Sequence, residues 1–540
     1  MLKLVSLLLI LAGSASAVFC PTQPITAITL GGNLPNGVAN LTAVPQGTNC
    51  TFVFDIPNNY NLKLSFNAQA GGNADQITIY DNNNSPLYGL QISSTPVYNV
   101  PLYLPARTAS VRVEAVSGNM RFMLNYMYQK MDKYTQISKR TGEYFPLTTV
   151  AAGAYVTITA SSANEKVIVS PASRAGTTDS SLSQFYVFDG DNINTASVMG
   201  RLSDFSTIRI SSGQSVSIVN FGGVSSKSYA LGNDASTLSG FAKYTVLLTT
   251  LGTSISGNMT DLSGSVNGAA YTWICTDCST FYWTSLKFDS FSTISNKAFV
   301  SFQGQTPTHK REKLIRYDAM TLTDSYFPQM MPSNVITLNL YLGRVEFYFN
   351  NVNSDVAWKK AYPGRKGYIF APNLWGTLNN NFNYEFRDDS QLYNFTMNLN
   401  KLGFPASSDQ MTLKIGSGTG KPAVDNLYPR DQSLNNIVTA NGNYMQVAMT
   451  ASVAADVRLT FAMDLAQNIA PSTASTSTSM STTTKIITET TQTTSKTVQT
   501  NAPSTASSIT TTATVQTTTA SAGEINFKML LSIVFLMILV

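Results

Sequence analysis

Histidine is almost missing from this chain: His309 is the single one in 540 residues. Zinc sites built from several histidines are therefore excluded, and no H-E-x-x-H stretch exists. A Ser-His or Cys-His catalytic arrangement would have to use His309, inside Thr308-His309-Lys310-Arg311, and no G-x-S-x-G elbow accompanies it. Charge is scarce as well. Asp, Glu, Lys and Arg make up 12% of the residues, against a usual share of about 25%. The net charge of +5 is modest, so the chain lacks the electrostatic footprint of a nucleic-acid binder. With acids this sparse no carboxylate pair stands out as a hydrolase site, and Asp189 and Glu346 read as turn and strand-surface residues. Gly416-Ser-Gly-Thr-Gly420-Lys421 lacks the first glycine of a phosphate loop and carries Pro422 where Ser or Thr is required, so it reads as a hairpin turn. Long apolar runs are missing too. Met529 to Val540 is mostly apolar, but as a helix it reaches only about 18 Å of a hydrocarbon core roughly 30 Å thick.

What is present begins at the two ends. Met1-Leu2-Lys3, an apolar stretch from Leu4 to Ala12 and Ala15-Ser16-Ala17 have the order of a secretory signal over residues 1–17. In residues 471–520, 30 of 50 are Ser or Thr. Such a segment cannot offset the cost of ordering, so 469–520 is expected to be an extended, disordered stalk that O-glycans would stiffen. Ser521-Ala522-Gly523, a short polar spacer and the apolar tail match the pattern of a lipid-attachment signal. Residues 521–540 are thus expected to be the attachment signal, in which Ser521 is the attachment residue and the part beyond it is exchanged for a glycosylphosphatidylinositol (GPI) lipid. The partner there is the outer face of the plasma membrane. An exported chain gives meaning to five N-x-S/T sequons, at Asn40, Asn49, Asn83, Asn258 and Asn394.

Four cysteines allow three pairings, and their separations favour Cys20 with Cys50 and Cys275 with Cys278. A redox or metal role for Cys275-Thr-Asp-Cys278 would need a βαβ context or a second cysteine or histidine pair, and neither is present. The basic clusters Lys310-Arg311-Glu312-Lys313 and Lys359-Lys360 with Arg365-Lys366 read as solvated loops.

Between the ends, alternation dominates: Phe52-Val-Phe54, Leu62-Lys-Leu64-Ser-Phe66, Ile77-Thr-Ile79 and Phe122-Met-Leu124-Asn-Tyr126 put one face inward and the other in water. Few windows keep a helical period, so the fold class is all-β. A pattern recurs about every 110 residues. Its central strand reads Asp75-Gln-Ile77-Thr-Ile79-Tyr80-Asp81, then Gln184-Phe185-Tyr-Val187-Phe188-Asp189-Gly190, and last Asp409-Gln-Met411-Thr-Leu413. A poorer copy lies around Tyr317-Asp318 and Val345-Glu-Phe347.

This order resembles CUB domains, and most closely the divergent CUB-like domains of nematode secreted proteins. Cys20, Pro45 to Pro57 with Cys50, and the Ile79-Tyr80-Asp81 turn carry the likeness, together with Phe188-Asp189-Gly190 in the second copy. The resemblance implies tandem jelly-roll β-sandwiches used for extracellular recognition. For the nematode relatives it further implies surface proteins connected with innate defence. The expected sandwiches span 18–132, 133–252, 253–360 (poorly matching) and 361–468. CUB domains commonly bind calcium through one Glu and two Asp; Asp75 and Asp81 match part of that set, but Glu114 sits on a strand, and the acids read as turn caps. No cofactor is expected. The aromatic residues flanking the C-x-x-C, Trp273, Tyr282 and Trp283, are the candidates for binding an extracellular glycan or protein. The expected function is a non-enzymatic, GPI-anchored recognition or adhesion glycoprotein; a mucin-like coat protein without a ligand is the alternative, and a surface hydrolase the third.

Overall fold

The computed structural model describes residues 20–466 except 81–85, 91–93, 106, 295–296, 310–311, 352–354, 419, 431–435 and 453. The signal at 1–17, the stalk, Ser521 and Asn83 lie outside the described residues. Among those described the regular structure is almost entirely strand, with two short α-helices, Ser290–Ile294 and Val356–Lys359, and six short 3-10 turns. None of its helices is long and apolar enough to cross a membrane.

Alternation sets the core directly. In Thr48–Asp55, Cys50, Phe52 and Phe54 are buried while Asn49, Thr51, Val53 and Asp55 are exposed. Burying a phenylalanine stabilises the fold by about 2–3 kcal/mol, and Phe52 stacks on Phe122 with ring centroids 5.9 Å apart.

The first sandwich pairs two sheets. One runs in the order Gly31–Leu34, Arg121–Lys130, Tyr60–Gln69, Val97–Leu104; the other runs Thr48–Asp55, Thr108–Ala115, Gln76–Tyr80, Pro86–Leu90. The last sandwich repeats this order; it lacks only a counterpart of the two-residue strand Thr42–Ala43, which also pairs with Arg121–Lys130 in the first. Its sheets run Arg365–Phe370, Asp456–Leu465, Tyr393–Gly403, Asn436–Gly442 and Phe382–Arg387, Tyr444–Thr450, Gln410–Gly416, Val424–Pro429.

The middle of the chain is built differently. An eight-stranded sheet runs through Tyr144–Pro146, Tyr229–Asp234, Val167–Arg174, Phe241–Thr249, Gly268–Cys275, Val335–Tyr341, Phe299–Gly304 and Ile315–Asp318. It serves both the second and the third sandwich, and the expected border at 252/253 falls between two of its neighbouring strands. In the first sandwich Val97–Leu104 lies antiparallel beside Tyr60–Gln69. The second sandwich has Phe241–Thr249 in that place, parallel to Val167–Arg174 on one side and to Gly268–Cys275 on the other. The third sandwich is closed by a four-stranded sheet ordered Ser254–Asp261, Gly343–Asn350, Phe281–Phe288, Gln329–Met331.

The third and fourth sandwiches interlock. Phe370 and Trp375 are buried in the core of the third, and Tyr282 and Met330 in that of the fourth. The Gln329 carboxamide is fully buried and acts as a piece of sheet: its Nε2 donates to the Tyr368 carbonyl at 3.0 Å and its Oε1 accepts the Tyr368 N–H at 3.0 Å. Gly304 is required where the two meet, because a Cβ there would sit 2.4 Å from the Trp375 carbonyl oxygen.

Candidate functional site

Ser254–Asp261 is the outer strand of its sheet, paired with Gly343–Asn350 on one side only. Along its other side runs a cleft of about 670 Å³. Thr253 through Met259 all line it, residue after residue. Successive strand residues point to opposite faces, so a cleft touched by an unbroken run follows the strand's edge rather than one of its faces. The opposite wall is Arg174-Ala175-Gly176, where Val167–Arg174 outruns its neighbour.

The floor is apolar: Leu247, Met259, Tyr271, Trp273 and Phe347. Trp273 packs edge-on against Phe347 and Phe349 at 5.4 and 4.7 Å and closes the floor with none of its surface in water. Its indole Nε1 has no hydrogen-bond partner among the described residues. Tyr271 is anchored at its tip, where the hydroxyl donates to the Thr260 carbonyl at 3.1 Å and accepts the Thr260 N–H at 3.2 Å. Burial pushes the Tyr271 phenol up, so it stays neutral and able to donate. Lys243 lies 5.6 Å from the centre of its ring. Arg174 is exposed at the lip and makes no ion pair among the described residues. An apolar floor with a few polar groups at the rim is the composition of a binding cleft.

The aromatic candidates divide on this geometry. Trp273 lines the cleft. Trp283 and Tyr282 do not: Trp283 is fully buried, stacked 5.1 Å from Phe349 and edge-on to Phe302 at 4.9 Å, and Tyr282 is 7% exposed in the fourth core. None of the three presents an open face to a ligand, so the expectation of an exposed aromatic patch is corrected: Trp273 lies beneath the cleft floor with no exposed surface, and the other two lie away from it. Both disulfides form, Cys20 with Cys50 and Cys275 with Cys278. Asn40, Asn49 and Asn258 are exposed, and Asn394 is half-buried on a strand paired on both sides.

One of the basic residues expected in solvent is in the core. Arg365 is fully buried, its guanidinium donating to the carbonyls of Lys360 and Trp358 and ringed by Trp358, Phe386 and Phe461 at 5.1, 5.2 and 5.6 Å. Aromatic faces and carbonyl oxygens stand where a carboxylate would be expected, and burial pulls its pKa down to about 10. Alternation around residue 365 gives no warning of this, because a basic residue beside Gly364 and Lys366 has the look of a turn.

Asp75 is a turn cap, as its sequence position suggests, but it reaches a second turn as well as its own. It is 5% exposed, and its carboxylate accepts from the backbone N–H groups of Gly71, Gly72, Val116 and Ser117 and from the Ser117 hydroxyl, at 2.6–3.0 Å. Burial raises its pKa, but the hydrogen bonds from Ser117, Gly71 and Gly72 outweigh that and hold it below the usual carboxylate range. Asp409, at the same place in the fourth sandwich, takes the Ala406 and Ser452 N–H groups and the Ser452 hydroxyl. Each aspartate clamps the turn entering its own strand to a turn between two later strands. The signal in the sequence is the repeated Asp-Gln-x-Thr of 75–78 and 409–412. With five donors already on Asp75, its oxygens are committed to the fold; Asp81 lies outside the described residues, and no cluster of three metal-ligating side chains occurs among those described.

Several solved structures are similar to this chain at low identity. The CUB1-EGF-CUB2 domain of human MASP-1/3 aligns at 10% identity over 38% of this chain and 100% of that one, with a TM-score of 0.17. The CUB1-EGF-CUB2 domains of rat MASP-1 align at 12% identity over 60% and 99%, also at 0.17. The full extracellular region of zebrafish Gpr126/Adgrg6 aligns at 11% over 63% and 54%, again at 0.17. No curated protein matches the chain. Residues 15–132, which include the whole first sandwich, match the family model described as "CUB-like domain".

Proposed function

We propose that this chain is a non-enzymatic extracellular recognition glycoprotein, held to the outer face of the plasma membrane by a GPI lipid and serving innate defence. Its four sandwiches present the cleft along Ser254–Met259 to a glycan or protein ligand. The observation that carries this is the cleft itself: an apolar floor, a polar lip with an arginine and an open strand edge, on a scaffold matching the CUB-like family at its N-terminal end. Anchoring is supported by the Ser521-Ala522-Gly523 triplet, the polar spacer and the apolar tail. In that step the Ser521 carbonyl passes from the Ala522 nitrogen to the amine of the lipid's ethanolamine, and the tail leaves as a free peptide. The defence role is supported by the sequence motifs of the first sandwich, which resemble those of nematode CUB-like domains. A mucin-like coat role rests on the Ser/Thr-rich stalk.

The test is capture of the purified protein on glycan and microbial-surface arrays, with Arg174→Glu and Ser256→Trp as cleft variants. Saturable capture that falls at least tenfold in both variants, with hydrogen exchange unchanged, is expected. Equal capture by the folded variants would remove the cleft, and no saturable capture would favour the coat.

A further inference from the structure

The structure assigns a purpose to two of the sequons: we infer that N-glycans on Asn49 and Asn258 cap the open sheet edges on which they sit and keep them from pairing with a second copy of the chain. This rests on the secretory route in the function proposed above.

Outer strands expose unpaired N–H and C=O groups and invite another strand to add to them. Several outer strands here carry a protecting charge or proline: Pro101, Lys139, Arg316, Lys366, Glu385 and Pro429. Ser254–Asp261 reads Ser-Ile-Ser-Gly-Asn-Met-Thr-Asp, with no proline or basic residue and its one acid at the very end. Asn258 is exposed and lines the cleft, on the part of the edge that stays open before Thr260, whose N–H and C=O are taken up by the Tyr271 hydroxyl. Thr48–Asp55 is also an outer strand. Its far end is covered, since the Ile25 N–H donates to the Val53 carbonyl at 2.8 Å and the Asp55 N–H to the Ile25 carbonyl at 2.9 Å. Asn49 lies toward the other end, next to Cys50, where Cys20 is tied in with its Cα 5.4 Å from that of Cys50, and Asn49 itself is exposed.

The chemistry fits the local bonds. Glycosylation joins the asparagine Nδ2 to the anomeric carbon of a lipid-diphosphate-linked oligosaccharide; the Nδ2 loses a proton and the lipid diphosphate departs. The Oδ1 is untouched, so Asn49 Oδ1 can keep accepting from Arg112 Nε at 3.1 Å. Paired strands lie about 4.8 Å apart, and an added strand would run its own side chains along the glycan-bearing face. A branched sugar there blocks that approach. Asn394, on a strand with neighbours on both sides, caps no edge and is the internal control.

The experiment uses the full chain made in secretory cells. Glycopeptide mass spectrometry reads occupancy, and sedimentation velocity in mild detergent reads association at micromolar concentration. Thr51→Ala and Thr260→Ala destroy the two sequons without altering either asparagine. We expect occupied Asn49 and Asn258 in a monomeric native protein, dimers and larger species in the double variant, and a return to monomer when Ser256→Lys is added and Thr51→Lys takes the place of Thr51→Ala. Thr396→Ala should stay monomeric. Unoccupied sites, or a monomeric double variant at the same concentration, would overturn the inference. Occupied sites with a monomeric double variant would do so while leaving the secretory reading intact.

Discussion

The first and fourth sandwiches have the same strand order in both sheets, yet they are held together by different means. The first ties its N-terminal segment to the core through Cys20–Cys50. The fourth contains no cysteine and has a fully buried arginine in an aromatic surround instead. What they share is the pattern of alternation and an aspartate clamp between turns. The topology therefore follows from those two features, and the disulfide and the caged arginine are separate ways of stabilising it.

The largest effect should come from breaking the feature peculiar to the fourth sandwich. Arg365→Ala removes a large buried side chain and leaves two carbonyls without their donors, costing about 4 kcal/mol. Hydrogen exchange should accelerate in Asp456–Leu465 and stay unchanged in Thr48–Asp55. The counterpart in the first sandwich is Cys50→Ser. Opening the loop between Cys20 and Cys50 should cost about 3 kcal/mol, with the pattern of exchange reversed. A local readout is needed because a chain of several domains does not unfold in one step.

The shared clamp should behave alike in both places, with a difference in degree. Asp75→Ala orphans five donors and should cost about 3 kcal/mol. Asp409→Ala orphans three and should cost less, so protection should fall further in Thr108–Ala115 than in Tyr444–Thr450. Equal losses would mean that the count of donors does not set the strength of the clamp.

Much of this comparison is legible in the amino-acid sequence alone. Alternation such as Phe52-Val-Phe54 fixes which face is core, and Asp-Gln-x-Thr marks the same strand in both copies. Trp283 and Arg365 are not legible. A tryptophan beside a C-x-x-C has the same appearance whether it faces water or a second sheet, since alternation is lost where both faces of a strand are covered. The eight-stranded sheet is hidden for a related reason: a strand paired in parallel to two others has no local signal for its partners.

Acid gives the smallest effect and distinguishes the clamps from the other features. Hydrogen bonding holds Asp75 and Asp409 below the usual carboxylate range, outweighing burial, and brings Asp179 of the second sandwich to about 2 through Ser181, Ser228 and Ser226. Folded values below the unfolded one mean that this stability is fully present above about pH 4 and is lost as pH falls through the folded values. Thermal unfolding followed from pH 5 to pH 2 should show a falling midpoint, and the Asp179→Asn variant should show a shallower fall.

The most direct test of the whole account is treatment of cells expressing the tagged full chain with phosphatidylinositol-specific phospholipase C. The account predicts release of the protein into the medium, with every sandwich on the outside and the tail from Ala522 onward missing. Retention on the cell with that tail still detectable would contradict it.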